Sequence, residues 1–248
     1  MQIAKKLLKY IRAAKNSNAH GTENNMFTPA TFDFLVENRI QNSRTWYAEH
    51  KNDFQSKVFE PLKELTNELA PFMKEVDSLI VTEPKTDRAI SRVYRDTRFS
   101  KDKALYRDNM WLTFKRDKNA YPHFPEFYFV ITPDGFLYGC GYYAATPAAV
   151  DSLRELILSD DRSFKKALAS YNRQSVFTLE GDMYKRTRYP GQTPQKREWL
   201  DRKNISVSCS SKDFQLLYSA SLGEKLIEDY SLLKDVYALF IKAEEFKR

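Results

Sequence analysis

Residues 127–143, with the sequence FYFVITPDGFLYGCGYY, contain two apolar, aromatic-rich runs on either side of Thr132-Pro133-Asp134-Gly135. Runs of this length separated by a short Pro, Asp and Gly segment are typical of two strands joined by a tight turn. The pattern predicts an antiparallel hairpin, with strands near 126–132 and 136–143. Gly139 and Gly141 lie on one face of the second strand, where a backbone, a helix or a ligand can approach closely.

Periodicity predicts the elements on both sides of this hairpin. Strand-type patterns indicate further strands near 88–94, 110–116, 176–180, 183–188 and 204–209. Helical spacing indicates helices over 147–158, 161–172 and around 195–201, and again in the C-terminal segment up to Phe240.

The segment after Met26 is predicted to be helical. Thr28-Pro29 supplies an N-cap and a first-turn proline, and Ser43 can cap a second helix. Pro61 opens a further helix, in which Pro71 is expected to produce a kink or a break. Helices at both ends of an antiparallel or mixed sheet favour a single domain of the α+β class.

Size and composition limit the kinds of protein to consider. A chain of 248 residues can bury a sizeable core, and its apolar runs are too short for a membrane-spanning helix. Cys140 and Cys209 are far apart and form no CxxC pair, which predicts free thiols, a cytoplasmic protein and no cysteine metal site. HExxH, GxSxG, Walker A and GxGxxG motifs are absent, so cofactor and oligomeric state stay open.

Residues 1–25, MQIAKKLLKYIRAAKNSNAHGTENN, are interpreted as a basic amphipathic helix followed by a polar linker. We expect this extension to lie outside the domain, which should span residues 26–248. It could touch a membrane surface or an acidic partner. Alternatively, it is a frayed appendage, or Met26 is the true start.

The positive charge of the chain is concentrated in two places. The chain carries a formal net charge of +7, and residues 1–25 have five basic residues against Glu23. Residues 88–107, RAISRVYRDTRFSKDKALYR, have seven basic residues against two acidic ones. The rest of the body is therefore slightly acidic. Such focal basicity favours a compact anion pocket over a broad nucleic-acid footprint.

The segment 88–107 combines cations with aromatic rings. Arginine offers a planar fork of donors to phosphate and carboxylate oxygens, and lysine adds a mobile charge, while an aromatic side chain can stack on a ligand ring. The predicted ligand-binding residues in this segment are Arg92, Tyr94, Arg95, Arg98, Phe99, Ser100, Lys101, Lys103 and Arg107. Asp96 is expected to be an orienting residue, its carboxylate bonded to Arg92, Arg95 or a backbone N–H. The alternative is a purely structural ion-pair network.

An anion pocket also needs walls that exclude water. We expect Trp46, Tyr142 and Arg188, together with His50, to converge on this segment from distant parts of the chain. If acid–base chemistry occurs, Asp96, Asp102 and His50 are the catalytic candidates.

The sequence RVYRDTRFSKDKALYRDN, residues 92–109, resembles the signature of a family named domain of unknown function 2461. In that family an R-D-T-R-F-S-K-D-K run precedes a Pro-Tyr-Lys element, in whose place this chain has Leu105 and Arg107 around Tyr106. Weaker similarities are Arg44-Thr45-Trp46-Tyr47 with Lys51, and Pro190-Gly191 with Lys203. The resemblance covers most of residues 26–248. It supports the fold and the site but implies no activity.

Three functions are therefore weighed. The first is binding of a small phosphorylated or carboxylated ligand, with catalysis left open. The second is nucleic-acid binding through phosphates and stacked bases, which the slightly acidic body disfavours. The third is a non-enzymatic scaffold in which the basic segment is structural.

Overall fold

A computed structural model of the protein describes residues 26–246. Six strands form one sheet in the order β1-β2-β3-β4-β6-β5, and each neighbouring pair is antiparallel. The strands are β1 (Ile80–Val81), β2 (Met110–Arg116), β3 (Glu126–Thr132), β4 (Gly135–Gly141), β5 (Thr178–Glu180) and β6 (Ser206–Ser211). The predicted α+β class is confirmed, with an antiparallel sheet. The predicted limits of residues 26–248 stay a prediction, and residues 1–25 lie outside the described part.

Helices precede and follow this sheet. On the N-terminal side lie α1 (Pro29–Gln41), α2 (Arg44–Glu49), α3 (Lys51–Phe54), a π-helical turn (Gln55–Phe59) and α4 (Glu60–Val76). Later in the chain lie α5 (Pro147–Leu158), α6 (Arg162–Asn172), α7 (Pro194–Leu200), α8 (Phe214–Tyr218), α9 (Leu222–Ser231) and α10 (Lys234–Glu245). Ser43 caps α2 as predicted, because its side chain accepts a hydrogen bond from the Trp46 N–H at 3.3 Å.

The predicted hairpin of β3 and β4 is present, and it forms the centre of the sheet. Its register pairs Thr132 with Gly135, and Gly135 has a φ of 143°, a value that favours glycine. Successive residues point to opposite faces, so the side chains of Phe127, Phe129 and Ile131 all enter the core.

The core fills the space between one face of this sheet and the helices. The ring of Phe127 contacts Tyr230 of α9 and Tyr237 of α10. Buried tyrosine hydroxyls find partners there: Tyr138 donates to Asp229 at 2.7 Å and Tyr142 to the Phe240 carbonyl at 3.1 Å. These two tyrosine side chains are therefore buried with their hydroxyl groups hydrogen-bonded.

The predicted strand at 88–94 is wrong. The segment follows β2 only briefly: Ser91 N–H donates to the Trp111 carbonyl at 2.9 Å. It then turns to its own continuation, since Arg95 N–H donates to the Leu105 carbonyl and Arg107 N–H to the Val93 carbonyl. This change of partner leaves isolated bridges where an unbroken ladder was expected.

Two further expectations concern Pro71 and residues 183–188. Pro71 does not break α4, which continues to Val76, and the buried side chains of Leu69, Phe72 and Met73 around it hold the helix on the core. The possible strand at 183–188 is reduced to one bridge between Met183 and Arg202.

Gly139 gives a direct test of the sheet geometry. A Cβ atom at this position would lie 2.2 Å from the Val207 carbonyl oxygen, within the β4–β6 ladder. Gly139→Ala is therefore expected to destabilise the protein by about 1–3 kcal/mol, measured by urea unfolding. Gly191→Ala is the control, because its Cβ would meet no atom within 4 Å. Equal midpoints for both variants and the wild type would contradict this packing.

Candidate functional site

A cleft of about 590 Å³ opens between β2 and the segment that precedes it. Its floor includes Trp111, Thr113 and Lys115, which alternate with the core residues of β2 and so face away from the core. We call it the basic cleft; its lining residues are Asp87, Arg88, Ile90, Ser91, Arg92, Tyr94, Arg95, Asp96, Arg98, Arg107, Trp111, Thr113, Lys115 and Lys118.

The basic cleft is strongly positive. Seven of its lining residues are arginine or lysine, and only Asp87 and Asp96 are acidic. The lining therefore carries a formal charge of +5. Like charges this close repel one another unless an anion or a carboxylate lies among them.

Two arginines at the rim are paired with aspartates close in sequence. Arg92 binds Asp87, and Arg98 binds Asp96 through two nitrogens, with Nη2–Oδ2 at 2.6 Å. Hydrogen bonds from the Arg98 side chain and N–H lower the pKa of Asp96 to about 2. Asp96 thus orients Arg98. Of the predicted partners, a backbone N–H is present, that of Arg98 at 3.1 Å, whereas the bonds to Arg92 or Arg95 are not. These pairs are exposed, so their net contribution to stability is small.

Asp102 fastens the arginine-rich loop to α1. Its carboxylate binds Arg39 of α1 and also Arg95, at 2.7 Å. Arg39 additionally donates to the Tyr106 carbonyl at 2.9 Å. Hydrogen bonds from the Ala104 N–H, Arg39 and Arg95 lower the pKa of Asp102. This part of the motif has a structural role.

The lowered pKa values affect the catalytic candidates. A general base works best when its pKa lies near the working pH. The pKa values of Asp96 and Asp102 are lowered by their hydrogen bonds and lie well below neutrality. Both are weak proton acceptors in this arrangement. A catalytic role for Asp96, Asp102 or His50 stays a prediction.

Arg107 differs from the other arginines of the motif. Within residues 26–246 it forms no ion pair with a carboxylate; its Nε donates to the Tyr94 carbonyl at 3.2 Å. The guanidinium lies 4.6 Å from the centroid of the Trp111 ring. Burial, and then the charge of Arg95, lower the pKa of Arg107. This half-buried cation lacks a counter-charge in direct contact.

Tyr94 supplies a fixed aromatic wall. Its ring contacts Tyr47 of α2 at 5.5 Å and Tyr106 at 5.1 Å, and Tyr47 stacks on Tyr106 at 5.1 Å. Burial raises the pKa of Tyr47 to about 12. The second helix therefore reaches the loop as predicted, but through Tyr47.

The predicted convergence of four distant residues is not observed. Trp46 stacks on His50 at 4.0 Å outside the lining of the basic cleft. Tyr142 is buried in the core against Phe240. Arg188 lies over the ring of Tyr184 at 3.7 Å. None of the four side chains lines the basic cleft, and each contacts a residue that also lies outside that lining.

The remaining loop residues lie outside the cleft lining. Ser100 accepts a hydrogen bond from Arg95 at 3.4 Å, and Lys103 donates to the Thr97 carbonyl at 2.9 Å. Lys101 and Phe99 are exposed on the same loop.

Sequence reasoning missed several residues of the site. The alternation within 110–116 could have identified Trp111, Thr113 and Lys115 as one outward face. Lys115 binds Glu126 of the neighbouring strand at 2.7 Å. Arg39 carried no such signal, because an arginine on a helix surface is ordinary.

Neither a metal centre nor a membrane span is found in the described residues. No group of three or more His, Cys, Asp or Glu side chains there could hold a metal ion. None of the described helices combines the length and the apolar character that crossing a bilayer requires.

The fold and the site together define an α+β protein that carries a basic cleft beside the β1–β2 edge of an antiparallel sheet. The family profile described as "Conserved hypothetical protein (DUF2461)" matches residues 30–238, and the chain belongs to this family. The match includes the whole arginine-rich motif and confirms the resemblance found in residues 92–109. A comparison with curated proteins gives no match.

Proposed function

We propose that this protein binds a small phosphorylated or carboxylated ligand in the basic cleft. The observation that carries the proposal is Arg107, a half-buried guanidinium without a carboxylate partner among the described residues, in a lining with a formal charge of +5. An anion at this point would relieve the repulsion between Arg107 and Arg95.

The shape and chemistry of the basic cleft support this proposal. Its volume of about 590 Å³ falls within the usual range for small-molecule sites. Charge-assisted hydrogen bonds to phosphate or carboxylate are stronger where water is partly excluded. Trp111 and Tyr94 provide that partial exclusion while leaving the cleft open to solvent.

A structural role for part of the motif is compatible with binding. Asp102, Arg39 and Arg95 hold the loop on α1, whereas Arg107, Trp111 and Lys115 face the basic cleft. Arg95 belongs to both groups, since it binds Asp102 and also lines the basic cleft, but the other residues serve one role each. We also place the protein in the cytoplasm, a proposal that the free thiols of Cys140 and Cys209 support.

Thermal unfolding with and without anions tests the proposal. The full chain is titrated at low salt, where ionic contacts are strongest, with pyrophosphate, a sugar phosphate, citrate and a single-stranded oligonucleotide. A bound anion at about 100 times its Kd should add roughly 2.7 kcal/mol of stability. If no small anion raises the unfolding temperature, the proposal is wrong. If only the oligonucleotide does so, and with a steep salt dependence, the nucleic-acid alternative replaces it.

A further inference from the structure

The two most exposed large apolar side chains in the described part of the chain are Phe99, which follows the cleft residue Arg98, and Tyr143, which lies just beyond β4. Phe99 is 95% exposed and Tyr143 is 89% exposed. Single exposed apolar residues are common, but two nearly free aromatic rings in a chain with a basic cleft are informative. Aromatic rings with basic neighbours are the elements with which proteins hold stacked bases.

Tyr143 is presented by a fixed backbone. The preceding Tyr142 is anchored in the core by its hydrogen bond to the Phe240 carbonyl. Asn204 then holds the segment on both sides: its Nδ2 donates to the carbonyls of Tyr142 and Tyr143, and its Oδ1 accepts from the Ala145 N–H at 3.0 Å. The ring is therefore exposed on an ordered support.

The sheet register places Tyr143 on the same side of the molecule as a cation of the basic cleft. It follows β4, whose last residue Gly141 pairs with Glu126, and Glu126 binds Lys115 of the basic cleft. An electrostatic influence of Tyr143 on the pKa of Arg107 agrees with this position. This exposed ring thus lies toward Arg107, which has no carboxylate in direct contact and on which the charge of Asp96 acts from a distance.

Phe99 stands at a different part of the rim. It follows Arg98, whose guanidinium lies 5.7 Å from the Phe99 ring centroid and lines the basic cleft. Tyr94, 47% exposed, adds a third ring within the lining itself. The anion site is consequently bordered by aromatic surface as well as by charge.

We propose that the anionic ligand is a nucleoside phosphate whose phosphate binds Arg107 and whose base stacks on Tyr143. This inference rests on the proposed function and names its ligand class. A cleft of about 590 Å³ has room for a mononucleotide. The base should contribute about tenfold in affinity, the usual order for one base stacked on one aromatic side chain.

Calorimetric titrations at low salt test this class. Pyrophosphate supplies the phosphates alone, and ADP, GDP, CDP and UDP supply the same phosphates with a base. At least one diphosphate should bind wild-type protein about tenfold more tightly than pyrophosphate. Tyr143→Ala should remove that preference and leave pyrophosphate binding unchanged. Phe246→Ala, which removes an exposed ring outside the basic cleft, should retain the preference.

The outcomes separate the two proposals. If pyrophosphate binds wild-type protein as tightly as all four diphosphates do, the nucleotide inference fails and anion binding stands. If Tyr143→Ala weakens pyrophosphate and diphosphates equally, the base does not stack there and the inference also fails. If neither pyrophosphate nor any diphosphate binds, both proposals fail. If a ten-residue oligothymidylate binds more tightly than every diphosphate, the mononucleotide inference fails and single-stranded nucleic acid is the better ligand.

Discussion

Replacing Arg107 with glutamine is expected to weaken pyrophosphate binding by roughly 10- to 100-fold, which corresponds to the loss of one charge-assisted contact. The stability of the unliganded protein should fall little. Arg107 forms no ion pair with the described carboxylates, and its burial beside Arg95 already disfavours the charged form, as its lowered pKa indicates. The variant loses the contact with the Trp111 ring and the exposed hydrogen bond to the Tyr94 carbonyl. Titration calorimetry gives the affinity, and urea unfolding gives the stability.

Arg173→Gln is the matched control for this variant. It removes the same charge from an exposed position at the end of α6, where Arg173 contacts Ser170 and lies outside the basic cleft. Pyrophosphate should bind this control as it binds the wild type. Equal losses in both variants would mean that the net charge of the protein, and not Arg107, attracts the anion.

Replacing Arg116 with methionine should lower the free energy of unfolding by about 3–5 kcal/mol, the usual cost of leaving one member of a buried ion pair alone. Arg116 Nε lies 2.7 Å from Asp77 Oδ2, with the two side chains only 11% and 9% exposed. The same oxygen accepts the Tyr237 hydroxyl at 2.9 Å. The variant would also lose the contacts of Arg116 with Tyr121 and Phe124.

Lys234 provides the control for Arg116. Lys234 pairs with Glu75 at 2.7 Å near the same helix ends, but these side chains are 39% and 70% exposed. Lys234→Met should cost no more than about 1 kcal/mol in urea unfolding. Adding Asp77→Asn to Arg116→Met should restore part of the loss. Similar losses for Arg116→Met and Lys234→Met would show that the Asp77 carboxylate is effectively solvated.

The same pair determines part of the response to acid. Burial alone raises the pKa of Asp77, but hydrogen bonds from Arg116, the Leu79 N–H and Tyr237 outweigh it, so the pKa lies below its ordinary 3.8. A carboxylate with a lowered folded-state pKa stabilises the fold above its unfolded-state pKa and loses this contribution as the pH falls. Wild-type stability should therefore fall more than that of Arg116→Met on acidification below about pH 4.

Local signals predicted much of the fold. The helix over 147–158 and the strand over 110–116 were correct to the residue, because capping residues and alternation lie within the segments themselves. The strand predicted at 88–94 was wrong because the backbone of this segment bonds first to β2 and then to the loop that follows it. Local sequence does not encode that competition.

Part of the site was also predictable from local sequence, and part was not. The concentration of arginines marked the loop, and five of the predicted binding residues, Arg92, Tyr94, Arg95, Arg98 and Arg107, line the basic cleft. The partners that position this loop lie far away in sequence, as with Arg39 and Asp102, which are 63 residues apart. Side chains at such separations meet only after the helices have packed.

The alternation along β2 has a consequence for how this family could diversify. Met110, Leu112 and Phe114 hold the core, while Trp111, Thr113 and Lys115 border the basic cleft. Substitutions in the second set leave the packing of the first untouched, because the two sets occupy opposite sides of one strand. Under the proposed function, residues that contact the ligand alternate with residues that hold the core along the seven residues of β2. Substitutions on the cleft side can then change ligand preference while the core side is preserved.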